Sequence, residues 1–196
     1  MVNKLPNKYE CPLDVLLYKF IDTHLDKYHE YGITPNMVTT MSIASGILSA
    51  YFIFRGKFKI AALFLIIAYY FDCADGKLAR KFNLQTTFGD YYDHFGDLFK
   101  LIIIIYALHK TNKTKLNSIK YFLIIIMILV LIQFGYQEVM YSKNYESPSL
   151  GFAKKLVEFD KHPEERIKYT RYVGSGTGIL IVSMIIAKWS KATSNK

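Results

Sequence analysis

Residues 69–100 read YYFDCADGKLARKFNLQTTFGDYYDHFGDLFK and set Asp72, Asp75, Asp93 and Asp97 between two strongly apolar runs, 60–71 and 98–109. An apolar surrounding rejects an ionised carboxylate unless a partner compensates it, so these four side chains constrain the fold more than any other feature. Their spacing constrains it further. Asp72, Asp75, Gly76, Ala79 and Arg80 recur at i, i+3, i+4, i+7 and i+8, which puts them on one face of a helix with 3.6 residues per turn. Gly89, Asp93 and Asp97 recur at i, i+4 and i+8 and form a stripe on the next helix. The intervening KFNLQTT, 81–87, is polar enough to turn. Asp72 and Asp97 are centred on 84.5 and Asp75 and Asp93 on 84, so an antiparallel hairpin about that turn brings the four level. At 1.5 Å per residue they are expected on the order of 13–18 Å from the turn.

The remaining chain supplies the surroundings. A membrane-spanning helix needs about 20 mostly apolar residues. Segments 32–54, 121–136 and 173–189 approach this directly, whereas 60–71 and 98–109 reach it only if their acidic ends also lie at membrane depth, facing a protein interior. Small residues in the first of these (Ser42, Ala44, Gly46, Ser49 and Ala50) permit close helix packing in lipid. A polar loop carrying Lys110, Lys113, Lys115 and Lys120 is expected between the third and fourth runs. Residues 12–28 place Leu13, Leu16, Leu17, Phe20, Ile21, Leu25 and Tyr28 on one stripe, with Asp14, Lys19 and Asp22 mostly elsewhere, as in a helix lying at an interface. The expected fold is all-α: a polytopic membrane bundle of about five to six transmembrane helices with an N-terminal interfacial helix. Residues 1–33 form the interfacial segment, 34–190 the membrane-embedded domain and 191–196 a polar tail.

A formal charge of +9 fits either nucleic acid or an anionic membrane surface, but the lysines punctuate apolar runs, which selects the membrane and argues against nucleic acid. Lys and Arg are somewhat denser on the loops that share a side with the N-terminus, so the acidic hairpin is expected to open to the cytosol. The two cysteines, Cys11 and Cys73, fit no zinc or redox spacing. The first 30 residues lack the apolar core of a signal peptide.

Each pair of carboxylates at 5 Å repels by about 0.8 kcal/mol even at the permittivity of water. Such a cluster either protonates or recruits cations, and all-oxygen ligands on helices suit Mg²⁺ or Mn²⁺. Two such ions would neutralise Asp72, Asp75, Asp93 and Asp97, and could polarise a phosphoryl group. Gly76 and Ala79 leave room for a phosphate, and Arg80 offers it a forked donor. Asp90 could join the ligands by geometry alone. His94 points about 100° away from them, and Lys100 either balances their charge or packs beside Asp97. Gln133, Gln137 and Glu138 could touch the acceptor or bond between helices, and Lys154, Lys155, Arg166, Lys168 and Arg171 could bind an acceptor phosphate or, in preference, anionic headgroups. An ion transporter or channel is the rival reading of intramembrane carboxylates, opposed by Arg80 on the same face.

The run Asp72-x-x-Asp75-Gly76-x-x-Ala79-Arg80, eight residues, Gly89-x-x-x-Asp93-x-x-x-Asp97 resembles the signature of the CDP-alcohol phosphotransferases at all eight positions. TPNMVTT, 34–40, is similar to the start of that family's first spanning helix. The resemblance implies a multi-pass homodimeric membrane enzyme that attacks a CDP-linked donor with an alcohol acceptor and releases CMP. It implies two divalent metals on Asp72, Asp75, Asp93 and Asp97, with Asp97 also the general base. Gly76, Ala79, Arg80 and Gly89, with Asn36 and Thr39, would line the CDP site. The donor is either CDP-diacylglycerol, with a small alcohol as acceptor, or a CDP-amino alcohol, with diacylglycerol as acceptor. The chain departs from the family in showing five clear apolar spans where six or more are common.

Overall fold

The computed structural model describes residues 3–141 and 149–192, and these are all-helical. Eight α-helices follow one another: α1 Pro12–Asp22, α2 Leu25–Glu30, α3 Pro35–Phe54, α4 Phe58–Lys81, α5 Thr87–Tyr141, α6 Gly151–Lys155, α7 Pro163–Thr170 and α8 Ser175–Ala187. A 3₁₀ turn, Arg171–Val173, joins the last two. Among the described residues three stretches are long and apolar enough to cross a membrane: Pro35–Phe54, Thr87–Tyr141 and Pro163–Ala187. α4 has the length, but its acidic and basic C-terminal third gives it a different composition.

Local chemistry sets the boundaries. Thr34 accepts a hydrogen bond from the Met37 N–H and Pro35 occupies the first turn, so α3 begins where the TP pair predicts. Gly56, at φ +73°, lets the chain reverse between α3 and α4. α5 is interrupted at Asn112, whose φ of −160° and ψ of 84° are not helical. There the Thr111 hydroxyl donates to the Ala107 and Leu108 carbonyls, while Asn112 Oδ1 accepts from the Lys115 N–H and caps a new helix. The chain folds back at this point. Ser149, beyond the end of α5, reaches Asp90 near its start, and Leu116 packs in one cluster with Ile104 and Leu108. α5 is therefore a hairpin with arms 87–111 and 113–141. The polar loop expected around Lys110–Lys120 is replaced by this single-residue break, because Asn112 supplies the cap that a loop would otherwise provide.

The N-terminal segment also differs from expectation. The single interfacial helix over 12–28 is divided at Thr23, whose hydroxyl folds back onto the Phe20 carbonyl at 2.7 Å. Its apolar stripe splits in two. Leu13, Leu16 and Phe20 face outward, while Ile21 and Leu25 are buried against Val38, Ala74 and Leu78. Lys77 fastens this segment to α4 through an ion pair with Asp22 at 2.7 Å.

Close packing by small residues joins α3 to its neighbours. Ser42 donates to the Ala68 carbonyl and Ser49 to the Ala61 carbonyl, both at 2.8 Å, tying α3 to α4. Gly46 and Gly96 admit Lys100 and Ile43 across the contact between α3 and α5. Ala44 faces outward and Ser45 takes the inward position beside Gly46. Away from the acidic residues, Ala50, Ile53, Ala61, Leu65, Ile104, Leu116, Ile186 and Trp189 close the bundle. On the far arm of α5, Gly135 lies so close to α6 that a Cβ would stand 2.4 Å from the Ala153 carbonyl oxygen. Backbone cannot yield as a side chain can, so Gly135→Ala is expected to lower stability by about 1–3 kcal/mol, read as a fall in thermal midpoint of the detergent-solubilised protein.

Candidate active site

A cavity of about 740 Å³ opens between α4, both arms of α5 and α8, and the acidic residues form part of its wall. α4 presents Asp72 and Asp75, and the first arm of α5 presents Asp93 and Asp97, as the hairpin spacing requires. Asp72, Asp93 and Asp97 each place an oxygen within 4.8 Å of the others. Asp75 lines the same cavity but lies outside that group. Its Oδ2 accepts from the Thr39 hydroxyl at 2.6 Å, so Thr39 reaches the site through a carboxylate.

Two buried polar atoms around the cavity have no partner among the described residues. Asp93 Oδ1 is an orphan acceptor and Arg80 Nε an orphan donor. An unmatched buried atom is costly in an apolar fold unless something else satisfies it. Three converging carboxylates with a free oxygen suit a hard divalent cation, and the free guanidinium N–H suits an anion. The donor set fits the divalent metal that the sequence pattern implies.

The small residues of the pattern allow close approaches within the protein. The Arg80 guanidinium folds over Gly76, where a Cβ would stand 3.1 Å from Nη1. At Gly89 a Cβ would meet Thr86 Oγ1 at 3.0 Å and Asn36 Oδ1 at 3.2 Å, so the glycine lets α3 and the start of α5 approach. Asn36, Ala79 and Gly89 all line the cavity.

Other residues singled out from the sequence divide clearly. Lys100 is ion-paired to Asp72 at 2.8 Å and to Asp97 at 2.7 Å, so it balances charge and does not merely pack. Asp90 turns to the Ser149 N–H, and His94 Nδ1 bonds the Asp90 carbonyl and the Ser149 hydroxyl. Gln133 and Glu138 bond between segments, to Tyr9 and Thr170 and to Lys4 respectively. Gln137 does so too, donating to Glu10 at 2.9 Å, and also lines the cavity. Lys154, Lys155, Arg166, Lys168 and Arg171 do not contribute to the cavity wall.

The sequence reading missed the wall built by the N-terminal segment. Glu10 is 1% exposed and accepts from the Leu5 N–H and from Gln137. Asp14 is 2% exposed; Tyr69 donates to it at 2.7 Å and Ser175 at 3.2 Å. Gly176, in the first turn of α8, leaves the space for this carboxylate, since a Cβ there would stand 2.0 Å from its oxygen. No periodicity connects residue 14 to residue 176; the small-residue run SGTG, 175–178, is the one local signal compatible with a close approach. Burial pushes Glu10 up to about 7, opposed by the Leu5 N–H and by the Arg80 and Lys4 charges. Burial likewise pushes Asp14 up to about 6, against the bonds from Tyr69, Ser175 and Gly176.

Comparison with known proteins places the same residues in a family. The sequence pattern of the family described as CDP-alcohol phosphatidyltransferase matches residues 32–189. That family comprises membrane phosphotransferases of phospholipid synthesis that depend on divalent metals. An uncharacterized protein of Aquifex aeolicus (strain VF5) is 32% identical over 72 residues, covering 37% of this chain and 37% of that protein. No solved structure matches.

The raised carboxyl groups make stability depend on pH. Between about 4.5 and about 7 the folded chain keeps a proton on Glu10 that the unfolded chain has released, so stability falls as pH rises through that window. Asp14 acts in the same direction between about 4 and about 6. The thermal midpoint is expected to fall from pH 5 to pH 8, and Glu10→Gln to flatten that slope.

Proposed function

Because this chain belongs to the CDP-alcohol phosphatidyltransferase family, we propose that it transfers a substituted phosphate from a CDP-linked donor to an alcohol and releases CMP. The observation carrying this reading is the meeting of Asp72, Asp93 and Asp97 in one cavity with the unpartnered Arg80 Nε. The donor is CDP-diacylglycerol or a CDP-amino alcohol, and the acceptor is correspondingly a small polar alcohol or diacylglycerol. Homodimerisation and a site facing the cytosol belong to the same reading.

Asp72, Asp75, Asp93 and Asp97 would hold two divalent ions, Mg²⁺ or Mn²⁺, which when bound offset the diphosphate charge and polarise the phosphorus under attack. Thr39 orients Asp75 by the hydrogen bond it donates. Arg80 binds diphosphate oxygens with its planar fork, and the missing side chain of Gly76 lets the guanidinium lie flat over α4. Ala79, Gly89 and Asn36 leave room for the cytidine half of the donor and contact it. Asp97, the more exposed of the two carboxylates that Lys100 pairs, accepts the proton of the acceptor hydroxyl. The alcohol oxygen then forms its bond to phosphorus as the phosphorus–oxygen bond to CMP breaks, and CMP departs with the electron pair. The cavity wall also carries the cations Lys4, Arg80, Lys100 and Lys120, which oppose the alternative of a cation path.

The test is release of CMP by purified protein supplied with Mg²⁺ or Mn²⁺ and screened over both donor types; absence of turnover with every pairing rejects the reading. Asp97→Asn is expected to lower turnover by about 10²–10⁴-fold, since it removes a proton acceptor and a ligand charge together. Arg80→Lys is expected to raise the Michaelis constant for the donor more than it lowers turnover, because the bidentate fork is lost and the charge is kept. Chelation of divalent ions is expected to abolish activity, with recovery on their return.

A further inference from the structure

Lys100 lies outside the eight-residue signature, yet it joins three side chains at the site. Its ammonium donates to Asp72 Oδ1 at 2.8 Å and to Ser42 Oγ at 2.6 Å, and pairs with Asp97 Oδ1 at 2.7 Å. An ammonium has three N–H groups, and three different helices use them. The Ser42 hydroxyl passes the interaction on by donating to the Ala68 carbonyl. The lysine stem reaches this point only by crossing Gly46, where a Cβ would stand 2.6 Å from Lys100 Cγ. A lysine 8% exposed, threaded over a glycine and fixed by a buried serine, is a built arrangement and not a surface pair that happens to close.

We propose that Lys100 is an internal counter-cation, a positioning residue that keeps Asp72 and Asp97 together before a divalent ion arrives and that the ion must displace. The inference rests on the metal-centre reading above and goes beyond it, because it assigns a competitor for the metal within the chain itself. Asp72 and Asp97 belong to the group of three whose oxygens converge within 4.8 Å, so ammonium and metal compete for the same acceptors. Asp93 keeps an unpartnered oxygen and would offer an incoming ion its first contact. The bond to Ser42 would keep the ammonium beside the site if Asp72 and Asp97 were given over to an ion. The cluster is thus held open for metal without the full mutual repulsion of its carboxylates.

The test uses the full chain purified in detergent, with Mn²⁺ binding followed by electron paramagnetic resonance and unfolding followed with and without chelator. Lys100→Met is expected to bind Mn²⁺ roughly tenfold or more tightly, since a competing positive charge has gone. In chelator its thermal midpoint is expected to fall by on the order of 5 °C, and saturating Mn²⁺ to restore most of that loss. Gly46→Ala keeps the charge but drives a methyl group into the lysine stem, and is expected to tighten Mn²⁺ binding in the same direction. It decides the matter if Lys100→Met does not fold. Mn²⁺ affinity equal to the parent's in both variants, or weaker, overturns the proposal. A parent that binds no Mn²⁺ overturns both the metal centre and this inference, whereas the expected binding shifts without CMP release from any donor would leave the inference standing and remove the proposed reaction.

Discussion

Charge buried among apolar helices is the constraint on which the rest of this structure depends. Asp72, Asp75, Asp93 and Asp97 cannot face hydrocarbon, and they are tolerated because each meets a partner inside the bundle or an open cavity. Lys100 bridges two of them, Thr39 satisfies a third, and Asp93 keeps one oxygen free. These contacts join α3, α4 and the first arm of α5, the three helices that also pack through Ser42, Gly46, Ser49 and Gly96. Small residues bring the backbones close enough for short polar side chains to meet, and the polar contacts fix the register that packing alone would leave loose.

The N-terminal segment is part of the site and not an accessory to it. By turning Asp14 inward against Tyr69 and the first turn of α8, α1 joins α4 and α8 at the cavity wall. Glu10 repeats the device on the second arm of α5 through Gln137. Meanwhile Leu13, Leu16 and Phe20 remain outward as an apolar edge suited to a lipid surface. One short helix thus presents an apolar edge outward and a carboxylate to the cavity.

The acidic hairpin was legible because its information is local. Helical periodicity fixes the faces of Asp72, Asp75, Asp93 and Asp97, and symmetry about residue 84 fixes their level. Thr34 and Pro35 announced the start of α3 for the same reason, since a cap involves only the residues beside it. The hairpin break at Asn112 was harder to read. A cluster of lysines around it suggested a loop, whereas one asparagine side chain capping the next helix made a loop unnecessary. The stripe over 12–28 divides in the fold, with Ile21 and Leu25 buried and Leu13, Leu16 and Phe20 outward, because hydrophobic periodicity reports that a face is apolar but not what covers it.

Sequence alone determined the chemistry: an all-helical membrane chain, a hairpin of carboxylates with an arginine on the same face, and the family whose pattern they match. Spacing along a helix suffices for that, because residues three or four apart are neighbours whatever surrounds them. Tertiary structure decided which groups compensate which charges. It gave Lys100 to Asp72 and Asp97, Thr39 to Asp75, and Asp14 to the start of α8. Those pairings join residues distant in the chain, and electrostatic compensation depends on separation in space, which the order of residues does not encode directly.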